Sequence, residues 1–118
     1  TFHFWTRGLP ELIPFGESYT RFTHGADAAV FYYQPGFRSG WGSLKKGQHA
    51  NKDPRSQTNP FPSLFIVTRG AGKGRVGGNE VDLREGQALL VPAGISHEFW
   101  NDEDQPMEFV LLMFGDGA

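Results

Sequence analysis

The sequence contains no cysteine. That excludes a disulfide framework, a thiolate metal site and a cysteine nucleophile. Long apolar runs are missing too: none reaches the ~18 residues of a membrane span, and no signal-peptide pattern opens the chain. Neither sign of charge dominates, with 11 Lys and Arg against 13 Asp and Glu. A basic surface for nucleic acid or anionic lipid is therefore not expected. Helical signals are scarce. The best candidate, residues 9–15, contains Pro10 and Pro14 and holds at most a turn. There is no internal repeat and no low-complexity tract. A cysteine-free chain of this kind is compatible with the cytoplasm, the expected location.

What is abundant points to strands. The 118 residues suit one domain, and Gly 16 with Pro 8 supplies about a fifth of them, as short strands joined by turns require. Apolar runs at 28–33, 39–44, 63–68, 88–91 and 107–114 are separated by Gln34-Pro35-Gly36, Lys45-Lys46-Gly47, Arg69-Gly70-Ala71-Gly72 and Pro92-Ala93-Gly94. Residues 73–76 and 80–83 flank Gly77-Gly78-Asn79 as a hairpin. Residues 97–100 alternate, and 48–62, polar and broken by Pro54, Pro60 and Pro62, read as a loop. This rhythm predicts an all-β sandwich or barrel. Residues 1–25 form an N-terminal arm with at most one strand, and 26–118 form the barrel. The arm's Phe2, Phe4, Trp5, Phe15 and Phe22 need burial, for which a neighbouring subunit is the natural surface.

One stretch carries a motif. Gly86, Pro92, Gly94, His97 and Asn101 occupy all five fixed positions of the pattern G-x5-P-x-G-x2-H-x3-N. Physically, Pro92 ends a strand, Gly94 makes a tight turn, His97 and Phe99 share one face, and Asn101 can bond backbone at the strand end. The pattern resembles the second motif of the cupin superfamily, and residues 64–72 look like the end of its first. The resemblance implies a cupin-type antiparallel β-barrel or jelly roll of two facing sheets with little helix. It also implies a homodimer.

The family's first motif, G-x5-H-x-H-x3-4-E-x6-G, is degenerate in this chain. Counted back from Gly70 its glutamate falls on Ser63; counted forward from Gly47 its histidines fall on Asp53 and Arg55. Counted from Gly42, His49 lies one residue late, with Asn51 as its partner. The three-histidine, one-carboxylate metal set is not recovered. What the resemblance implies here is His97, as metal ligand or general base, with His49 as a second ligand for one divalent ion (Zn, Ni, Mn or Fe). Asn51, Asp53, Gln57 or Ser63 are the further oxygen donors in reach.

Two functions follow from this set. One is a metal-dependent enzyme acting on a small oxygen-bearing molecule. The other is a non-catalytic small-molecule-binding or sensor barrel that has lost the metal. A third reading makes His97 a packed core histidine in a filled barrel. Other chemistries fail on context. The glycines at 70, 72 and 74 precede a strand rather than a phosphate-binding helix, and no G-x-S-x-G elbow or calcium loop is present.

Overall fold

Side-chain alternation decides this architecture. Every strand places alternate residues on one face, and the buried sets of successive strands meet in one core. The structure is a computed structural model and describes residues 10–118. Phe2, Phe4 and Trp5 of the expected arm lie outside the described residues. The strands are β1 (Arg21–Thr23), β2 (Ala26–Gln34), β3 (Phe37–Leu44), β4 (His49–Ala50), β5 (Ser63–Arg69), β6 (Ala71–Val76), β7 (Asn79–Arg84), β8 (Ala88–Val91), β9 (His97–Trp100) and β10 (Met107–Phe114). Helix among the described residues is limited to two single 3-10 turns, Glu17–Tyr19 and Pro54–Ser56.

The strands form two antiparallel sheets, six strands in the order β1-β2-β3-β10-β5-β8 and four in the order β4-β9-β6-β7. The sheets face each other as a jelly roll, the fold expected from the strand rhythm. Ser63, Phe65 and Val67 of β5 are buried while Leu64 and Ile66 are only partly covered, which fixes the inner face. The register carries that face across β10, where Phe65 pairs with Leu111 and Val67 with Phe109. It continues into β3, where Phe109 pairs with Gly42, Leu111 with Gly40 and Met113 with Arg38.

Two expectations need correction. The 48–62 segment is not structureless: it contains β4 and the Pro54–Ser56 turn, and it runs along β9 as an edge. Backbone bonds from His97 N to Gln57 O and from Gly94 N to Asn59 O, both 2.8 Å, hold it there. The second hairpin is longer than read, because only Gly70 is needed to turn β5 into β6. Within the described chain, Phe15 is 53% exposed and Phe22 67% exposed. Phe22 faces away from the core because Thr23 and Arg21 take the inward parity of β1, opposite Ala26 and Ala28.

Gly25 shows how tightly β4 is seated. It has φ of 89° and a Cβ there would fall on the His49 carbonyl. Asn51, itself at φ 58°, donates its N–H to His24 O at 2.8 Å. The β1–β2 turn and β4 are thus locked together by backbone alone.

Candidate functional site

His97 opens β9 and is 2% exposed, facing the core as Phe99 does two residues on. The rings of Phe65 and Phe99 stand 5.7 and 5.9 Å from its own. Its Nδ1 lies 3.2 Å from the Ile95 carbonyl. A carbonyl only accepts, so Nδ1 carries the proton and Nε2 keeps the lone pair. Burial pushes the His97 pKa below its ordinary value, and the Ile95 bond offsets part of that. A neutral imidazole wedged among phenylalanines is the result.

His49 does not join it. In the β4–β9 pair, Ala50 lies opposite Phe99 and His49 opposite Trp100. Paired residues share a face, so Ala50 turns to the core and His49 turns away from His97. The one-residue offset in the motif count is therefore a change of face. On the outer side His49 Nε2 donates to Glu98 at 3.2 Å, and the imidazole stacks on Trp100 at 5.4 Å. Glu98 also accepts from Gln57 at 3.1 Å and from Arg75 at 2.7 Å, and Arg75 covers the Trp100 ring at 5.5 Å. This cluster pins the 48–59 segment to the outside of the small sheet. Neither Glu98 nor Arg75 was singled out by the sequence; the alternation of 97–100 is the signal that sends Glu98 outward beside His49.

The oxygen candidates are also engaged elsewhere. Asp53 caps the 3-10 turn through Arg55 N at 3.0 Å and pairs with the Arg55 guanidinium at 2.7 Å. That pairing holds its carboxyl below the usual carboxylate range. Asn51 serves the turn at His24. Ser63 faces inward, 1% exposed, and its hydroxyl has no partner among the described residues. Asn101 donates to Leu44 O at 2.8 Å and to Gln105 O at 2.9 Å, and accepts from Glu103 N at 2.7 Å, closing the strand end as the motif suggests.

The donor set does not fit a divalent metal. The inner face offers the His97 imidazole among phenylalanines and the neutral Ser63 hydroxyl, a weak ligand, while His49, Asn51, Asp53 and Gln57 are turned outward or consumed by turns. Among the described residues, no group of three or more His, Cys, Asp or Glu is placed to hold an ion.

The space in the molecule lies elsewhere. Between Phe65, Phe99, Met107 and Phe109 the barrel is filled, with a void of only about 10 Å³. On the inner face of β2, β3 and β10 there is a cavity of about 270 Å³. Ala28, Gly40 and Gly42 leave it open, Leu111 and Met113 wall it, and Arg38 stands at its end. Two clefts of about 350 and 580 Å³ flank His49 outside the small sheet. They are larger, but most of their charged side chains are already paired, Asp53 with Arg55 and both Arg75 and His49 with Glu98, which leaves Lys52 in one cleft and Asp102 in the other. A concave, mainly apolar surface with a few polar groups, Arg38 among them, is the better ligand site.

A family model described as "Cupin domain" matches residues 41–114. The chain belongs to the cupin family. No curated protein matches it at the sequence level. Among solved structures it is similar to a cupin 2 conserved barrel domain protein from Salinispora arenicola, at 15% identity and TM-score 0.77 over 91% of this chain and 90% of that one. It is also similar to a predicted oxalate decarboxylase from Thermotoga maritima, at 15% identity and TM-score 0.67 over 75% and 79% of the two chains. A third, KdgF from a Halomonas species, matches at 16% identity and TM-score 0.64 over 79% and 82%. At these identities the cupin likeness is one of fold, and fold alone does not carry chemistry. No described helix is long and apolar enough to cross a membrane.

Proposed function

We propose that this cupin is a non-catalytic small-molecule-binding barrel, without the metal of the family's enzymes, acting in the cytoplasm. The observation that carries the reading is the division of the inner face. The end holding His97 is solid with aromatic rings, and the cavity lies at the other end, on β2, β3 and β10. His97 is then a core residue whose hydrogen bond to Ile95 fixes its ring, and the ligand site is the cavity. The metal-enzyme alternative has only His97 on its side. A fragment screen by nuclear magnetic resonance on isotope-labelled protein tests this. Shifts confined to Ala28, Gly40, Gly42 and Leu111 are expected. Hits that instead perturb His97 and Phe99, or tight binding of Zn, Ni, Mn or Fe, would overturn it.

The same reading includes a homodimer. The outer face of the large sheet supports it: Leu64 stands between Leu90 and Leu112, Ile66 pairs with Val110, and Leu90 is 56% exposed. With Phe15 and Phe22 also exposed, a second copy has apolar surface to cover. Sedimentation at micromolar concentration should give twice the chain mass, and a monomer would refute the dimer.

A further inference from the structure

We infer that the cavity on β2, β3 and β10 selects organic anions, small carboxylates with an apolar body, through Arg38. This rests on the cavity being a ligand site and adds the charge of what it takes.

Arg38 faces the core side by register. It pairs with Met113 on one flank and Tyr33 on the other, in line with Gly40 and Gly42. A register shift between Val30 and Tyr32 brings Tyr33 to this position. The guanidinium is held between two rings, 4.9 Å from Tyr33 and 5.0 Å from Phe61. Its Nη2 donates to the Gly117 carbonyl at 3.2 Å, and its Nε–H is buried with no acceptor. No Asp or Glu among the described residues forms an ion pair with it.

A cation fixed by stacking, with one carbonyl acceptor and no Asp or Glu partner among the described residues, is poised for an anion. Burying an N–H without a partner costs stability, and a guanidinium matches a carboxylate with two parallel N–H donors. The remaining walls set the rest of the ligand. Ala28, Val30, Gly40, Gly42, Leu111 and Met113 offer no donor or acceptor from a side chain, and the Ser39 hydroxyl is already bonded to the Tyr32 backbone, so most of the wall favours an apolar body, with Thr23 and His24 as the polar groups at one edge. The volume of about 270 Å³ holds about nine waters, or a ligand of about ten heavy atoms.

Benzoate and its neutral isostere benzamide are suitable probes, titrated against the intact protein with amide shifts as the readout. Benzoate should bind at least ten-fold more tightly than benzamide, with both shifting Gly40 and Gly42. Arg38→Gln should bring benzoate down to the benzamide level, while Arg38→Lys, which keeps the charge and checks the fold, should retain a preference for benzoate. Equal binding of the two probes to the unmodified protein would overturn the anion selectivity and leave the cavity standing as a ligand site. If neither probe shifted the cavity residues, the selectivity and the ligand site would fall together.

Discussion

The two ends of this barrel use the same inner face for opposite purposes. At the end beneath the four-stranded sheet, Phe65 meets Phe99 at 4.8 Å and Phe109 at 6.0 Å, and Leu83, Val67 and Met107 close the remaining space. At the other end the inward positions of β2 and β3 include Ala28, Val30, Gly40 and Gly42, three of them small, and none of the described residues fills the volume they leave. Gly42 marks the boundary: a Cβ there would sit 2.4 Å from the Phe109 ring, so its small size serves the packed end as well. The difference teaches that a barrel of this size is not hollow by default. It is hollow where small residues are stacked in register across neighbouring strands, and the motif histidine lies at the other end.

The largest test of that contrast is to enlarge a void in the packed end. Phe99→Ala removes a ring that touches Phe65, and it should cost about 3–5 kcal/mol in denaturant unfolding. Ala28→Leu adds a side chain of similar apolar bulk to the hollow end. It should change stability by about 1 kcal/mol or less, yet weaken binding of cavity ligands at least ten-fold. If both substitutions were equally destabilising, the hollow end would not be a preformed cavity. Gly42→Ala, at the boundary, should fall between them at about 1–3 kcal/mol, because the methyl must displace the Phe109 ring.

A smaller effect separates the two readings of His97. Its pKa is lowered in the folded state by burial. The unfolded chain therefore takes up a proton first as pH falls, and stability drops below about pH 6.5, the ordinary histidine value. Above that pH the imidazole is neutral in both states and contributes no such slope. Unfolding between about pH 6.5 and 5 should show this loss, and His97→Gln should flatten it while costing about 1 kcal/mol at pH 7. The smallest expected effect is no effect: added Zn, Ni, Mn or Fe should leave the unfolding temperature unchanged. An ion held at 100 times its dissociation constant would add about 2.7 kcal/mol, a shift easily seen.

Much of this molecule could be read from residue order. Turn glycines and prolines marked most of the strands, and the five spaced residues from Gly86 to Asn101 marked the cupin fold. They also placed His97 on the face of Phe99, because strand alternation is a local rule. The candidate site was legible only in part. His49 was recognised as a ligand type, but its face depends on which β9 residue it meets. Arg38 went unnoticed because the strand carrying it was read as beginning at Ser39, and its stacking partners Tyr33 and Phe61 come from separate parts of the chain.

The sequence by itself determined what local chemistry can determine: an all-β chain, the absence of cysteine from these 118 residues, and a motif whose turn residues bend the backbone in one way. Tertiary structure alone decided which side chains share a space. The β4–β9 register sent His49 outward, the β2 register shift brought Tyr33 beside Arg38, and the inward stacking of Ala28, Gly40 and Gly42 opened the cavity. Each is a pairing between residues distant in sequence. A one-residue change in such a pairing inverts a face, so no count along the chain can supply it.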